Sequence, residues 1–171
     1  MQRHAEISTT RRLIPTVLLI VLAACASPPS LQPGTPIAEA RSSLGRPTAE
    51  VRLPDGGSRL QYSGQPNGQW VWNADFDAQG RLRGVEQVMT DEAFLRVRAG
   101  KDTQADVLRD FGQPAEVFHY RLSNETAFMY RYYTHGRFHA AMFIYFDPAG
   151  VVKRTETGLD PWMIRGGDRS H

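Results

Sequence analysis

The chain has 171 residues, with 20 lysines and arginines against 18 aspartates and glutamates, and one cysteine. Near-balance of charge speaks against nucleic-acid binding, which needs a clustered basic surface, and a lone cysteine rules out an internal disulfide. Fifteen glycines and eleven prolines beside eight phenylalanines, six tyrosines and three tryptophans point to a turn-rich, sheet-rich module.

In chain order, the first feature is Arg11-Arg12 followed by an apolar run from Leu13 to Ala24. A charged n-region, an apolar h-region and small residues before a cut site make a secretory signal. The run is too short to span a bilayer, which takes ~20 apolar residues. Its end, Leu22-Ala23-Ala24-Cys25, resembles the lipobox of bacterial lipoproteins. That resemblance implies acylation of the Cys25 thiol, cleavage before it and acylation of the new amine, with residues 1–24 as signal peptide. Removing Arg3, Arg11, Arg12 and Glu6 with that peptide leaves 17 basic and 17 acidic groups, so the mature chain is formally neutral. Residues 25–33, with Pro28, Pro29 and Pro33, read as a short tether, because proline denies both helix and strand.

Two stretches then echo one another. Gly34-Thr35-Pro36 opens a short helical pattern (Ile37, Ala40, Leu44) that ends at Gly45-Arg46-Pro47. Gly100-Lys101-Asp102-Thr103 opens another (Val107, Phe111) that ends at Gly112-Gln113-Pro114, 67 residues later. Leu60-x-Tyr62 with Phe76-Asp77-Ala78-Gln79-Gly80 matches Tyr130-x-Tyr132 with Phe146-Asp147-Pro148-Ala149-Gly150, both at an offset of 70. Agreement of separate landmarks predicts a duplicated unit of about 70 residues. Thr35 and Asp102 suit N-caps, and a glycine with proline two positions on suits a helix end. Thr90-Asp91-Glu92 adds a cap for one more helix, Ala93 to Val97, in the second copy.

After each Gly-x-Pro the apolar period becomes two, the mark of strands. The predicted strands lie at 51–53, 60–62, 70–76 and 82–88, and again near 115–121, 126–133, 137–146 and 151–157. Short turns between them predict antiparallel meanders. The expected fold is α+β: one or two short helices and then a four-stranded antiparallel meander, twice over, with helices on one sheet face. The expected boundaries are 34–90 for the first unit, 91–158 for the second and 159–171 for a C-terminal tail. Trp70, Trp72, Phe76, Tyr130, Tyr132, Ile144 and Phe146 form the expected core, with Gln69, Asn73 and Asp75 on a solvated side.

Gly-Thr-Pro, Leu-Gly-Arg-Pro, the aromatic strands and Phe-Asp-x-x-Gly, all behind a lipobox, resemble the SmpA/OmlA (BamE) outer-membrane lipoproteins. The doubling is similar to the fold that this unit shares with the β-lactamase inhibitory proteins. The resemblance implies a non-catalytic, palmitoylated lipoprotein of the outer membrane that faces the periplasm, anchored through Cys25. Its implied role is to bind an envelope protein, barrel-assembly components among them, in support of outer-membrane assembly or envelope integrity. An inhibitor-type or ligand-binding lipoprotein that caps a periplasmic or exported enzyme is the alternative. Motifs for nucleotide, hydrolase or zinc-protease chemistry are absent, so no cofactor and no catalytic residue is expected. His135 and His139 fall in a turn and strand, where spacing by four does not give the shared face that a helix would, so no metal is expected. Asp77 and Asp147 read as turn formers.

One strand stands out. Alternation puts Phe138, Ala140, Met142, Ile144 and Phe146 on the core side of 137–146 and His139, Ala141, Phe143 and Tyr145 on the other. Arg131 and Tyr133 of the neighbouring strand join that second side. Aromatics with an arginine and a histidine are the composition of an interface rather than of a solvated face. The candidate partner-binding residues are therefore Arg131, Tyr133, His139, Phe143 and Tyr145; the alternative is that the C-terminal Asp160-Pro161-Trp162 segment or the other repeat covers this side within the protein.

Overall fold

A computed structural model describes residues 31–166; Cys25, the signal peptide and most of the tether lie outside the described residues. The architecture is mixed helix and sheet. Helix α1 (Ile37–Leu44) precedes strands β1 (Ala49–Arg52), β2 (Ser58–Ser63), β3 (Val71–Phe76) and β4 (Leu82–Gln87). Helices α2 (Asp91–Phe94) and α3 (Gln104–Phe111) precede β5 (Glu116–Tyr120), β6 (Glu125–Thr134), β7 (Phe138–Phe146) and β8 (Val152–Leu159), and α4 (Pro161–Gly166) follows. The strands form two antiparallel four-stranded sheets in sequential order, β1-β2-β3-β4 and β5-β6-β7-β8.

The two halves share the backbone chemistry of their Asp-led turns, helix starts and helix ends. Asp77 Oδ1 accepts from the amides of Gln79 and Arg81, and Asp147 Oδ1 from those of Ala149 and Val151. Each turn then presents a carbonyl to a helix start: Ile37 N donates to Gly80 O and Gln104 N to Gly150 O, both at 2.9 Å. Such bonds satisfy first-turn amides that a helix itself leaves free. Each helix closes on a glycine at positive φ, 78° at Gly45 and 75° at Gly112, whose amide returns to Arg41 O or Leu108 O. At those angles a Cβ would clash, which is why both are glycine. The caps differ from expectation. Thr35 donates its hydroxyl to Gln32 O, so α1 has no side-chain cap. In α3 the cap is Thr103, in a reciprocal capping box with Asp106, while Asp102 accepts from Arg98.

Helix α1 packs on one face of the first sheet, over Leu60, Ala74, Phe76 and Leu82. Helices α2 and α3 pack on the inner face of the second sheet, where Phe94 stacks on Phe111 at 4.9 Å and meets Tyr132 edge-on at 5.0 Å. Tyr130, Ile144 and Phe146 complete that core, and Val71 and Val88 of the first half belong to it as well. Aromatic pairs of this kind add ~0.5–1.5 kcal/mol each beyond the area they bury.

The first sheet therefore has both faces covered, which corrects the expectation of a solvated side at Gln69, Asn73 and Asp75. Gln61, Gln69 and Asn73 are buried. Gln61 Nε2 donates to Arg109 O at 2.9 Å and Asn73 Nδ2 to Asp110 O at 2.8 Å, while Arg59 Nη1 donates to Arg109 O at 3.1 Å. The polar face of the first sheet thus serves the orphan carbonyls at the end of α3. Asp75 is half-buried and holds Arg59 at 2.6 Å.

Three core expectations are corrected too. Phe138 is 60% exposed, because it stands at the hairpin end of β7, two pairs past the Tyr132–Ala140 row that Phe94 covers. Trp70 lies just outside β3 and is only half-buried. Its indole lies against Gly64 and Gly68, where a Cβ would come within 2.5 and 2.8 Å of the ring. Trp72 is half-buried as well.

Candidate interaction face

The outer face of the second sheet carries the side chains that β5–β8 turn away from the helices. Its floor is small or thin: Ala127, Met129 and Ala141 are fully buried, and Gly158 stands opposite Ala141. Rings lie over that floor. Phe118 and Phe143 are 6.2 Å apart, Phe143 and Tyr145 6.5 Å, and Tyr120 and Tyr145 5.9 Å, each pair tilted. A Cβ at Gly158 would stand 3.3 Å from Phe143 Cε2, so the glycine leaves room for the ring to lean. The rings bury the floor while Phe143 and Tyr145 stay half-buried and Tyr120 exposed.

Charge frames the rings. The Arg154 guanidinium lies 3.7 Å from the Tyr145 ring centroid and bonds Glu156 at 2.7 Å and Glu125 at 2.9 Å, and Lys153 bonds Glu125 at 2.7 Å. These cationic hydrogen bonds hold the Glu125 carboxyl at about 2. Desolvation, with Tyr120 and Glu156 beside it, pushes the Tyr145 phenol up to about 12.

Of the five candidate residues, the structure brings Phe143 and Tyr145 together. Tyr133 and His139 form a separate pair, ring centroids 4.9 Å apart, four residues up β7 from Phe143, or ~13 Å. Arg131 lies between the pairs but does not face solvent. It is buried, with Nε 2.8 Å from Asp160 Oδ2, Nη1 2.6 Å from Pro66 O and its guanidinium over the Trp162 ring at 4.6 Å. Asp160 and Trp162, within the stretch read as a tail, thus close over that part of the face. Phe118 and Tyr120 were missed by sequence reasoning. Period-two spacing in Glu116-Val117-Phe118-His119-Tyr120 held the signal, but only the pairing of Phe118 with Ala127 puts those rings beside Tyr145.

A second concavity, a cleft of ≈ 250 Å³ between the first sheet and the helices, is lined by Arg59, Glu86, Arg96, Asp102 and Asp110 among others. Its charges are taken up by one another or by neighbours: Arg59 with Asp75 and Asp110, Arg96 with Glu86, Asp102 with Arg98. Among the described residues there is no group of three or more His, Cys, Asp or Glu that could hold a metal, and no helix is long and apolar enough to cross a membrane.

No protein-family model matches the chain, and no curated protein matches it. Among solved structures, the chain is similar to a DUF4309 family protein (YjgB) from Bacillus subtilis. The two share 14% identity over 72% of this chain and 77% of that one, with a TM-score of 0.30.

Proposed function

We propose that this chain is a non-catalytic protein-binding module, lipid-anchored at Cys25 in the outer membrane and facing the periplasm, that supports outer-membrane protein assembly or envelope integrity. The observation that carries the reading is the outer face of the second sheet. Four rings, Phe118, Tyr120, Phe143 and Tyr145, stand on a buried floor inside a rim of paired charges. Rigid aromatics ringed by charge are what protein interfaces concentrate, since they bring large contact area at little entropic cost.

The reading includes a tandem origin of the two halves. Its support is the matched bonds at the turns, helix starts and helix ends. The same landmarks drift from an offset of 67 at the helix ends to 70 at the Phe-Asp turns. The register accounts for the drift: Ala49 faces Gln61 where Glu116 faces Met129, so the β5–β6 hairpin is one residue longer, and Tyr62 faces Trp72 where Tyr130 faces Met142, so the β6–β7 hairpin is two residues longer. In this alignment Tyr62 corresponds to Tyr130, at an offset of 68, rather than to Tyr132 as the spacing of 70 would have it. The shared bonds agree, since Tyr62 Oη donates to Gly45 O and Tyr130 Oη to Gly112 O.

The test is Phe143→Glu in the full chain, with melting temperature and crosslinked partners read separately in cells. A charge among the rings is expected to lower partner recovery tenfold or more while the melting temperature moves by less than about 5 °C. Unchanged recovery from a folded variant would overturn the assignment of the face. Loss of the gene is expected to give hypersensitivity to large antibiotics together with fewer barrel proteins; an unchanged envelope would overturn the assembly role.

A further inference from the structure

Ahead of their strands, the two halves differ in one element. In the second, α2 lies ten residues ahead of α3 and covers the upper part of the helix-side face, where Phe94 stacks on Phe111 and reaches Tyr130 and Tyr132. Counting ten residues back from the start of α1 reaches Ser27, in the proline-rich stretch ahead of the described residues. On the helix-side face of the first sheet, past the reach of α1, stand Tyr62 and Trp72, directly paired across β2 and β3, with Trp70 beside them. All three are half-buried. The indole nitrogen of Trp72 is the one buried side-chain polar atom with no hydrogen-bond partner among the described residues.

We propose that the tether of this same chain, Pro28-Pro29 with its flanking serines, docks across Tyr62 and Trp72 in the place that α2 holds in the second half. The chain already arrives on this side, because Leu31 packs against the core beneath α1. Reach is sufficient. Gly34 N donates to Leu82 O, and Leu82 pairs with Phe76, so the chain is fixed beside Phe76. Trp72 stands four residues along β3 from Phe76, or ~13 Å, and Pro28 to Gly34 in an extended polyproline conformation covers about 19 Å. The chemistry is complementary. A proline pair offers flat apolar rings and carbonyls with no internal partner, and proline-rich segments dock on aromatic grooves for that reason. A carbonyl brought to the Trp72 indole would satisfy its N–H, the half-exposed neighbours moving aside to admit it. Docking would shorten the free leash to Cys25–Ser27 and hold the body in one orientation against the membrane.

The test uses the full chain in detergent micelles with ¹⁵N-labelled indoles, assigned through Trp70→Phe and Trp162→Phe. Replacing Pro28 and Pro29 by glycine is expected to shift the Trp72 indole signal and speed its hydrogen exchange at least tenfold, with Trp162 unchanged. Identical Trp72 signals and exchange in the two proteins would overturn the docking. Broadening of the wild-type Trp72 signal by a spin-labelled lipid would overturn it as well, by showing that the bilayer covers the face. The readout involves no protein partner, so its failure and that of the proposed interaction face are separable.

Discussion

At the scale of single residues, the side chain that changes most between sequence and structure is Arg131. Its buried guanidinium is shared among Asp160, the Pro66 carbonyl and the Trp162 ring, and Gln69 donates to Asp160 and to the Tyr132 carbonyl. Removal of one member of a buried ion pair strands the other charge, which costs ~3–5 kcal/mol. Arg131→Ala is therefore expected to destabilise by about that much in urea unfolding, whereas Arg131→Met with Asp160→Leu should cost clearly less. Two other carboxylates set the acid limit. Backbone and hydroxyl bonds from Thr103, with Arg109, hold Asp106 at about 2, below its ordinary 3.8, and Lys153 and Arg154 hold Glu125 at about 2, below its ordinary 4.5. Folded values below unfolded ones mean that stability is fully present above about pH 5 and drains as pH falls toward 2. Melting temperature recorded from pH 7 to pH 2 should be level to about 5 and then fall, with a shallower fall in Glu125→Gln.

At the scale of elements, α3 shows how polar residues come to lie inside. A helix leaves its last carbonyls without partners, and α3 ends beneath the first sheet rather than in water. Gln61, Asn73 and Arg59 supply the donors there. Asn73→Ala would strand the Asp110 carbonyl away from solvent, at ~1–3 kcal/mol, whereas Gln61→Ala would leave the Arg109 carbonyl with Arg59 as its remaining donor and cost about 1 kcal/mol. The pair should fall short of additivity because both serve one helix end. Chemical denaturation of the two single variants and the double variant measures this. A sum equal to the parts would mean that the two amides act independently. The outer rings belong to the same scale: the register of β5 against β6, not any one residue, brings Phe118 and Tyr120 to Tyr145.

At the scale of the molecule, the two sheets share more than a linker. Val71 and Val88 of the first half sit in the core of the second. The loop before β3 adds a clasp, with Gln65 donating to the Arg131 carbonyl at 2.6 Å and accepting from its amide at 3.3 Å. That places a side-chain amide on the part of β6 that runs on past the end of β5, where an open strand edge would invite wrong pairing. Shared core and shared caps predict one cooperative unfolding event. Tryptophan fluorescence, dominated by Trp70 and Trp72 in the first half, and far-ultraviolet circular dichroism should give coincident transitions. Two separated transitions would show that the halves fold as independent units.

The sequence by itself determined the elements and most of their ends. Period-two and helical spacing, Asp-led turns and Gly-x-Pro stops act over a few residues, so local chemistry alone could place two antiparallel meanders with short helices. It also determined that Phe76, Tyr130, Tyr132, Ile144 and Phe146 lie inside, because alternation assigns a side of a strand. Only the tertiary structure decided that the Gln61 and Asn73 side of the first sheet is covered, since both look like surface residues until a helix end needs their amides. It likewise decided that Arg131 is sealed beneath Trp162 and Phe138 left bare. Burial at those positions depends on what another segment, distant in the chain, lays over the face, and alternation along one strand carries no record of that.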